Sequence, residues 1–192
     1  MSTELNHADI LKFTKSVKYI IECKSNKKRD ATSLSSIVRR DMSQSDCIKL
    51  GHAVENYARE LLIFYGTFKD IKEKNKKGIK EKDMLFEKEN TINYTEVKVN
   101  GNLDTEKAPA TLSKMSTIKR ELEHSGKEVN AYLLCCRYIN RESMPKEIIK
   151  KYGTIVIGLN EWLENHQIKY KFTEESHIEL INKIADECFS SS

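Results

Sequence analysis

Hydrophobic positions along the chain change period several times, and each change marks an element. Over residues 7–24, Ile10, Leu11, Phe13, Val17, Ile20 and Ile21 recur near helical spacing with lysines between them, which predicts an amphipathic helix. The basic run KSNKKRD at 24–30 interrupts this pattern, and residues 33–40 predict a second short helix ending in Arg39-Arg40. Ser43 and Asp46 have the S-x-x-D spacing of a helix start. From there Ile48, Leu50, Val54, Tyr57, Ala58, Leu61, Leu62 and Tyr65 form the apolar stripe of a helix to about Tyr65.

Beyond a lysine-rich connection the period drops to two. Residues 84–87 and 92–99 predict two strands joined by a tight turn, with a short Gly/Asn turn after them. Leu103-Asp104-Thr105 caps a helix that has Pro109 in its first turn and runs to about Glu123, burying Leu112, Met115, Ile118 and Leu122. The run VNAYLLCCRY at 129–138 is almost continuously apolar, as in a strand covered on both faces. A short helix at 144–152, a strand at 153–158, a helix from 159 to 166 and a closing helix over 173–189 complete the order. Strand, helix, strand, helix after a hairpin predicts parallel crossovers. The fold class expected is α/β: a mixed central sheet of about five strands flanked by helices, with a helical N-terminal portion.

Length and composition allow one domain with a substantial core, since 192 residues with 39% hydrophobic content exceed what disorder would give. The net charge of +4 from 33 basic and 29 acidic residues is modest, so local charge carries the argument. Seven lysines against three acids between 69 and 82 concentrate the positive excess, and Lys77 lies inside that run. The five cysteines, at 23, 47, 135, 136 and 188, show no CxxC pair and no zinc-type spacing with histidine. The polar N-terminus and the lack of any apolar run of membrane length lead to the expectation of a cytoplasmic protein without membrane contact.

The chemistry concentrates between residues 83 and 107. Alternation along the second strand places Glu96 and Lys98 on one face and Val97 and Val99 on the other. Asp83 opens the preceding strand, so pairing as a hairpin brings its carboxylate toward Glu96. Two carboxylates at strand ends suit a hard divalent cation such as Mg²⁺, which takes oxygen ligands and completes its shell with water and substrate phosphate. A lysine beside them can hold an attacking water and stabilise charge on a phosphoryl group. Acid-x-lysine also occurs at Glu22-Cys23-Lys24 and Asp70-Ile71-Lys72, but only Glu96 lies in a β-type segment that comes after another strand opened by an acid.

Asp83, then twelve residues, then Glu96-Val97-Lys98 resembles the D…ExK signature of the PD-(D/E)xK nuclease superfamily. The run EVKVNGNLDTEK at 96–107 is similar to the segment around and beyond the catalytic lysine of small type II restriction endonucleases. The likeness covers about 51–107 in sequence and the remainder in element order, and Lys82 stands where the signature has proline. It implies a restriction-endonuclease-like fold in a single nuclease domain over 1–192, with a helical extension at 1–44 and a catalytic core at 45–192. It further implies Mg²⁺ held by Asp83, Glu96 and the Val97 carbonyl, a water-directing Lys98, and Glu55 on the first core helix completing the acidic cluster directly or through water. Asn100, Asn102, Lys107, Lys114 and Lys77 are the expected DNA contacts. The implied partners are double-stranded DNA, a second copy in a homodimer and, functionally, a cognate DNA methyltransferase.

Two other readings compete with sequence-specific cleavage. A junction or repair nuclease of the same fold would recognise DNA shape. A non-enzymatic basic DNA-binding protein would carry Glu96 and Lys98 as a surface ion pair, and for that reading acids gathered where phosphate must lie are unfavourable unless a cation intervenes.

Overall fold

The computed structural model describes residues 3–14, 17, 37–38, 41–66, 69–70, 82–99 and 107–190. The short strand β1 (Thr3–Glu4) and helix α1 (His7–Phe13) come first. Helix α2 (Gln44–Tyr65) begins where the S-x-x-D spacing predicts. The Asp46 N–H donates to the Ser43 hydroxyl at 3.2 Å, and the Ser43 N–H donates to the Asp46 carboxylate at 3.2 Å, satisfying two otherwise orphaned amides. Of the helix predicted at 33–40 only 37–38 are described, in a turn; most of 15–36 lies outside the described residues, as do 71–81 and 100–106.

The main sheet is mixed. Strands β3 (Met84–Lys88) and β4 (Thr91–Lys98) form the antiparallel hairpin; β5 (Glu128–Cys135) lies parallel to β4, and β6 (Val156–Ile157) parallel to β5. A two-residue strand β2 (Lys69–Asp70) pairs antiparallel with the outer edge of β3. The body of the sheet is thus four strands, with β2 as a short addition. A feature the sequence does not suggest is a separate parallel pair, in which β1 lies beside β7 (Ile168–Lys169). The strand expected at 153–158 contracts to β6, because Gly153 adopts φ 64° and residues Gly153–Ile155 form a 3-10 turn.

Helices cover both faces of this sheet. Alternate residues Met84, Phe86, Val97 and Leu134 pack with α1, α2, α5 (Leu159–Asn165) and α6 (Glu174–Phe189) in the larger core, centred on fully buried Trp162, Leu62 and Ile184. The intervening residues Leu85, Ile92, Tyr94, Leu133 and Cys135 pack with α3 (Lys107–Glu123) and α4 (Lys146–Tyr152) in a second, smaller core. Period-two alternation is what divides the strands between the two cores. The N-terminal segment belongs to the larger one: Ile10 and Phe13 are buried in it, and the Tyr57 hydroxyl donates to the Ile10 carbonyl at 2.8 Å.

One register detail positions the site. Strand β3 starts at Met84, opposite Thr95, whereas β4 continues through Glu96, Val97 and Lys98 with partners only in β5. The β3 side of those last residues is therefore open to side chains. Helix α2 approaches this end closely: a Cβ on Gly51 would lie 3.1 Å from the Val99 methyl, so the absence of a side chain there permits the contact.

Candidate active site

Three residues of β4, namely Tyr94, Glu96 and Lys98, share the face turned toward α3, while Asn93, Thr95 and Val97 face the larger core. Asp83 sits just before β3 and reaches across to the longer strand. Its Oδ2 accepts the Val97 N–H at 2.8 Å, replacing the strand partner that β3 no longer supplies. An N–H and a C=O of one strand residue face the same neighbour, so the Val97 carbonyl is presented on that same open side. The Asp83 carbonyl accepts from the Arg59 guanidinium at 3.2 Å, which ties this turn to α2.

Glu96 is the centre of the cluster. Its side chain is 3% exposed, against 17% for Asp83, 27% for Lys98 and 23% for Lys114. The Lys98 ammonium donates to Oε1 at 2.8 Å, and the Lys114 ammonium donates to Oε2 at 2.7 Å. The Tyr94 hydroxyl donates to the same Oε2 at 2.9 Å. Lys114 also lies 3.9 Å from Asp83 Oδ1, within ion-pair range of both carboxylates. A buried carboxylate is tolerated here because two cations and a hydroxyl satisfy it.

The charges set one another. Burial would raise the Glu96 carboxyl, but the hydrogen bonds and charges of Lys114 and Lys98 outweigh that and hold it below its ordinary range. Asp83 moves the other way: burial, then the adjacent Glu96 charge, raise it against the Val97 N–H and both lysines. For Lys98, burial acts to lower the ammonium, yet the bond to Glu96 and the charges of Glu96, Asp83 and Glu55 leave it raised. Lys98 is therefore an ammonium at neutral pH. Tyr94 is kept firmly as a phenol, by burial and by the carboxylate beside it.

Asp83, Glu96, Val97 and Lys98 are thus brought together as their spacing predicts. Glu55 is not drawn into a three-carboxylate cluster; it stands on α2 near His52, whose Nδ1 is 3.9 Å away, and acts on the cluster through its charge on Lys98. Lys114, expected as a DNA contact, has its ammonium on Glu96. Lys107 is exposed at the first residue of α3. Asn100, Asn102 and Lys77 lie outside the described residues. Sequence reasoning misses Tyr94, although its position two residues before Glu96 places it on the same strand face. Lys114 carries a comparable signal, four residues before Ile118 at the margin of the buried stripe of α3.

The donor chemistry fits a hard divalent cation. Carboxylate oxygens of Asp83 and Glu96 and the Val97 carbonyl are the ligand types Mg²⁺ takes, and one or two carboxylates with waters and substrate phosphate suffice for it. No group of three or more His, Cys, Asp or Glu side chains that could hold a metal occurs among the described residues. No described helix is long and apolar enough to cross a membrane. Compared with known protein families, curated proteins and solved structures, the chain matches none.

Proposed function

We propose that the chain is a Mg²⁺-dependent endodeoxyribonuclease with a restriction-endonuclease-like fold, acting as a type II restriction enzyme on a short site in double-stranded DNA. The observation that carries this reading is the convergence of Asp83, Glu96 and Lys98 at the end of β4 that β3 leaves unpaired. Asp83 and Glu96, with the Val97 carbonyl, would hold the cation. When bound, that cation would polarise the scissile phosphate and acidify a water. The Val97 N–H fixes the orientation of Asp83, and Tyr94 fixes that of Glu96.

Lys98, held as an ammonium by Glu96, is suited to donating a hydrogen bond to the attacking water and to the charge developing on phosphorus, rather than to accepting a proton. Its task is therefore electrostatic. One such site cuts one strand, so symmetric cleavage of a duplex requires a homodimer with two-fold symmetry. The setting proposed is a cytoplasmic enzyme paired functionally with a methyltransferase that protects the same sequence.

The test is incubation of the purified protein with plasmid and phage DNA in Mg²⁺, alongside an EDTA control and the Asp83→Ala and Lys98→Ala variants. Discrete fragments that require Mg²⁺ and vanish in both variants are expected. Cutting that survives both substitutions would remove the site assignment, and failure to cut duplex while cutting branched DNA would replace sequence recognition by shape recognition.

A further inference from the structure

Lys114 reaches the cluster from α3, while the other charged members come from the hairpin. Its ammonium is 2.7 Å from Glu96 Oε2 and 3.9 Å from Asp83 Oδ1, so it already bridges one oxygen of each carboxylate. Each carboxylate oxygen has two lone pairs. Those of Glu96 Oε2 are taken by Lys114 and by the Tyr94 hydroxyl at 2.9 Å. Tyr94 is fully buried and cannot readily withdraw; Lys114 is part-exposed on a flexible stem.

Resting on the reading of Asp83 and Glu96 as cation ligands, we infer that Lys114 is a positioning residue that competes with a divalent cation for Glu96 Oε2. Cation binding between the carboxylates displaces its ammonium. The affinity for the cation is then set by a contest between two positive charges, and removing the lysine charge strengthens cation binding. A lysine that only anchors α3 would have the opposite effect, since its loss would loosen the site.

The experiment is calorimetric titration of the full chain with Mn²⁺ in the absence of DNA. Wild type is compared with Lys114→Met, Lys114→Gln, Lys114→Arg, Lys119→Met and Asp83→Asn, with circular dichroism confirming that each is folded. Lys119 lies on the same helix, half-exposed and paired with Glu123, so its variant controls for one lost surface charge. Because a charge-assisted hydrogen bond is removed, Lys114→Met and Lys114→Gln should bind Mn²⁺ roughly ten- to a hundredfold more tightly. Lys114→Arg restores the competition and should bind as wild type, as should Lys119→Met, while Asp83→Asn should lose the site. Binding by Lys114→Met and Lys114→Gln no tighter than by Lys119→Met overturns the competition alone, provided Asp83→Asn still abolishes it. Binding that Asp83→Asn leaves intact overturns the cation-ligand reading, and the inference with it.

Discussion

Toward α2, α5 and α6 the sheet presents Met84, Phe86, Val97 and Leu134, and the polar groups buried there are neutral and held by hydrogen bonds. Trp162 Nε1–H donates to the Thr95 hydroxyl at 3.2 Å, and His177 Nε2–H to the Cys136 carbonyl at 2.9 Å. Toward α3 the same strands present Leu85, Ile92 and Tyr94, and then, within a few residues, Glu96 and Lys98. Strand β4 serves both faces, so propensity and hydrophobicity are shared between them. What differs is closure. The first face is sealed by large side chains, whereas the second is left open where β3 stops at Met84, and there Asp83, Lys98 and Lys114 keep partial contact with water. Charge chemistry on a sheet thus depends on where a neighbouring strand ends.

The contrast can be broken at either face, and the largest effect is expected in the sealed core. Trp162→Ala removes a fully buried indole and should destabilise by about 3–5 kcal/mol in a denaturant titration, because the tightly packed surroundings cannot close the cavity. A loss under ~1 kcal/mol would mean this core is far looser than its burial indicates. At the open end, Lys98→Met should lower the rate of the proposed DNA cleavage by about 10²–10³-fold, corresponding to ~2.7–4 kcal/mol of lost electrostatic stabilisation, with a modest fall in melting temperature because Glu96 Oε1 loses its lysine. The reverse pattern, normal cleavage with a large drop in melting temperature, would make Lys98 structural.

The two faces should also separate by pH. His166 and His177, in the sealed core, are both lowered to about 4, His166 by burial against its bond to the Trp162 carbonyl and His177 by burial first. Between about pH 6.5 and 4 the unfolded chain therefore binds protons that the folded chain refuses, so stability is complete above ~6.5 and declines as the pH falls. The slope should approach about 1.4 kcal/mol per pH unit for each histidine. His177→Gln should roughly halve it in thermal melts run across that window, and an unchanged slope would show that His177 is not part of its source. The smallest effect is expected from Tyr94→Phe, which removes one hydroxyl donor from a carboxylate that keeps two lysines; about 1.5 kcal/mol of stability should be lost. A neutral outcome would show that Lys98 and Lys114 alone satisfy Glu96.

Much of the hairpin is legible in the sequence. Period-two alternation over 91–98 separates Glu96 and Lys98 from Val97, and a short turn forces Asp83 back toward the far end of the same ladder. Helix α2 is legible from Ser43 and Asp46, and α6 from the apolar spacing of Ile181, Ile184 and Ala185. The β1–β7 pairing is not, because two-residue strands carry no period. How Glu55 meets the cluster is not legible for a related reason: a helix stripe shows which residues border a core, but not how far the helix axis lies from a strand end on the neighbouring element. Lys114 is legible only as a lysine at the margin of the buried stripe of α3, and that position does not distinguish a charge that reaches solvent from one that reaches a buried acid.

By itself, then, the sequence determined the order of the longer elements, the division of the hairpin strands into two faces and the meeting of Asp83, Glu96 and Lys98, because these result from backbone periodicity and a tight turn over short chain separations. Only the tertiary structure decided that β3 leaves the last three residues of β4 unpaired on that side, that α3 brings Lys114 across to Glu96, and that the Glu55 charge bears on Lys98. Those outcomes depend on how separate elements pack, and packing is set by the sum of many side-chain contacts rather than by any local pattern.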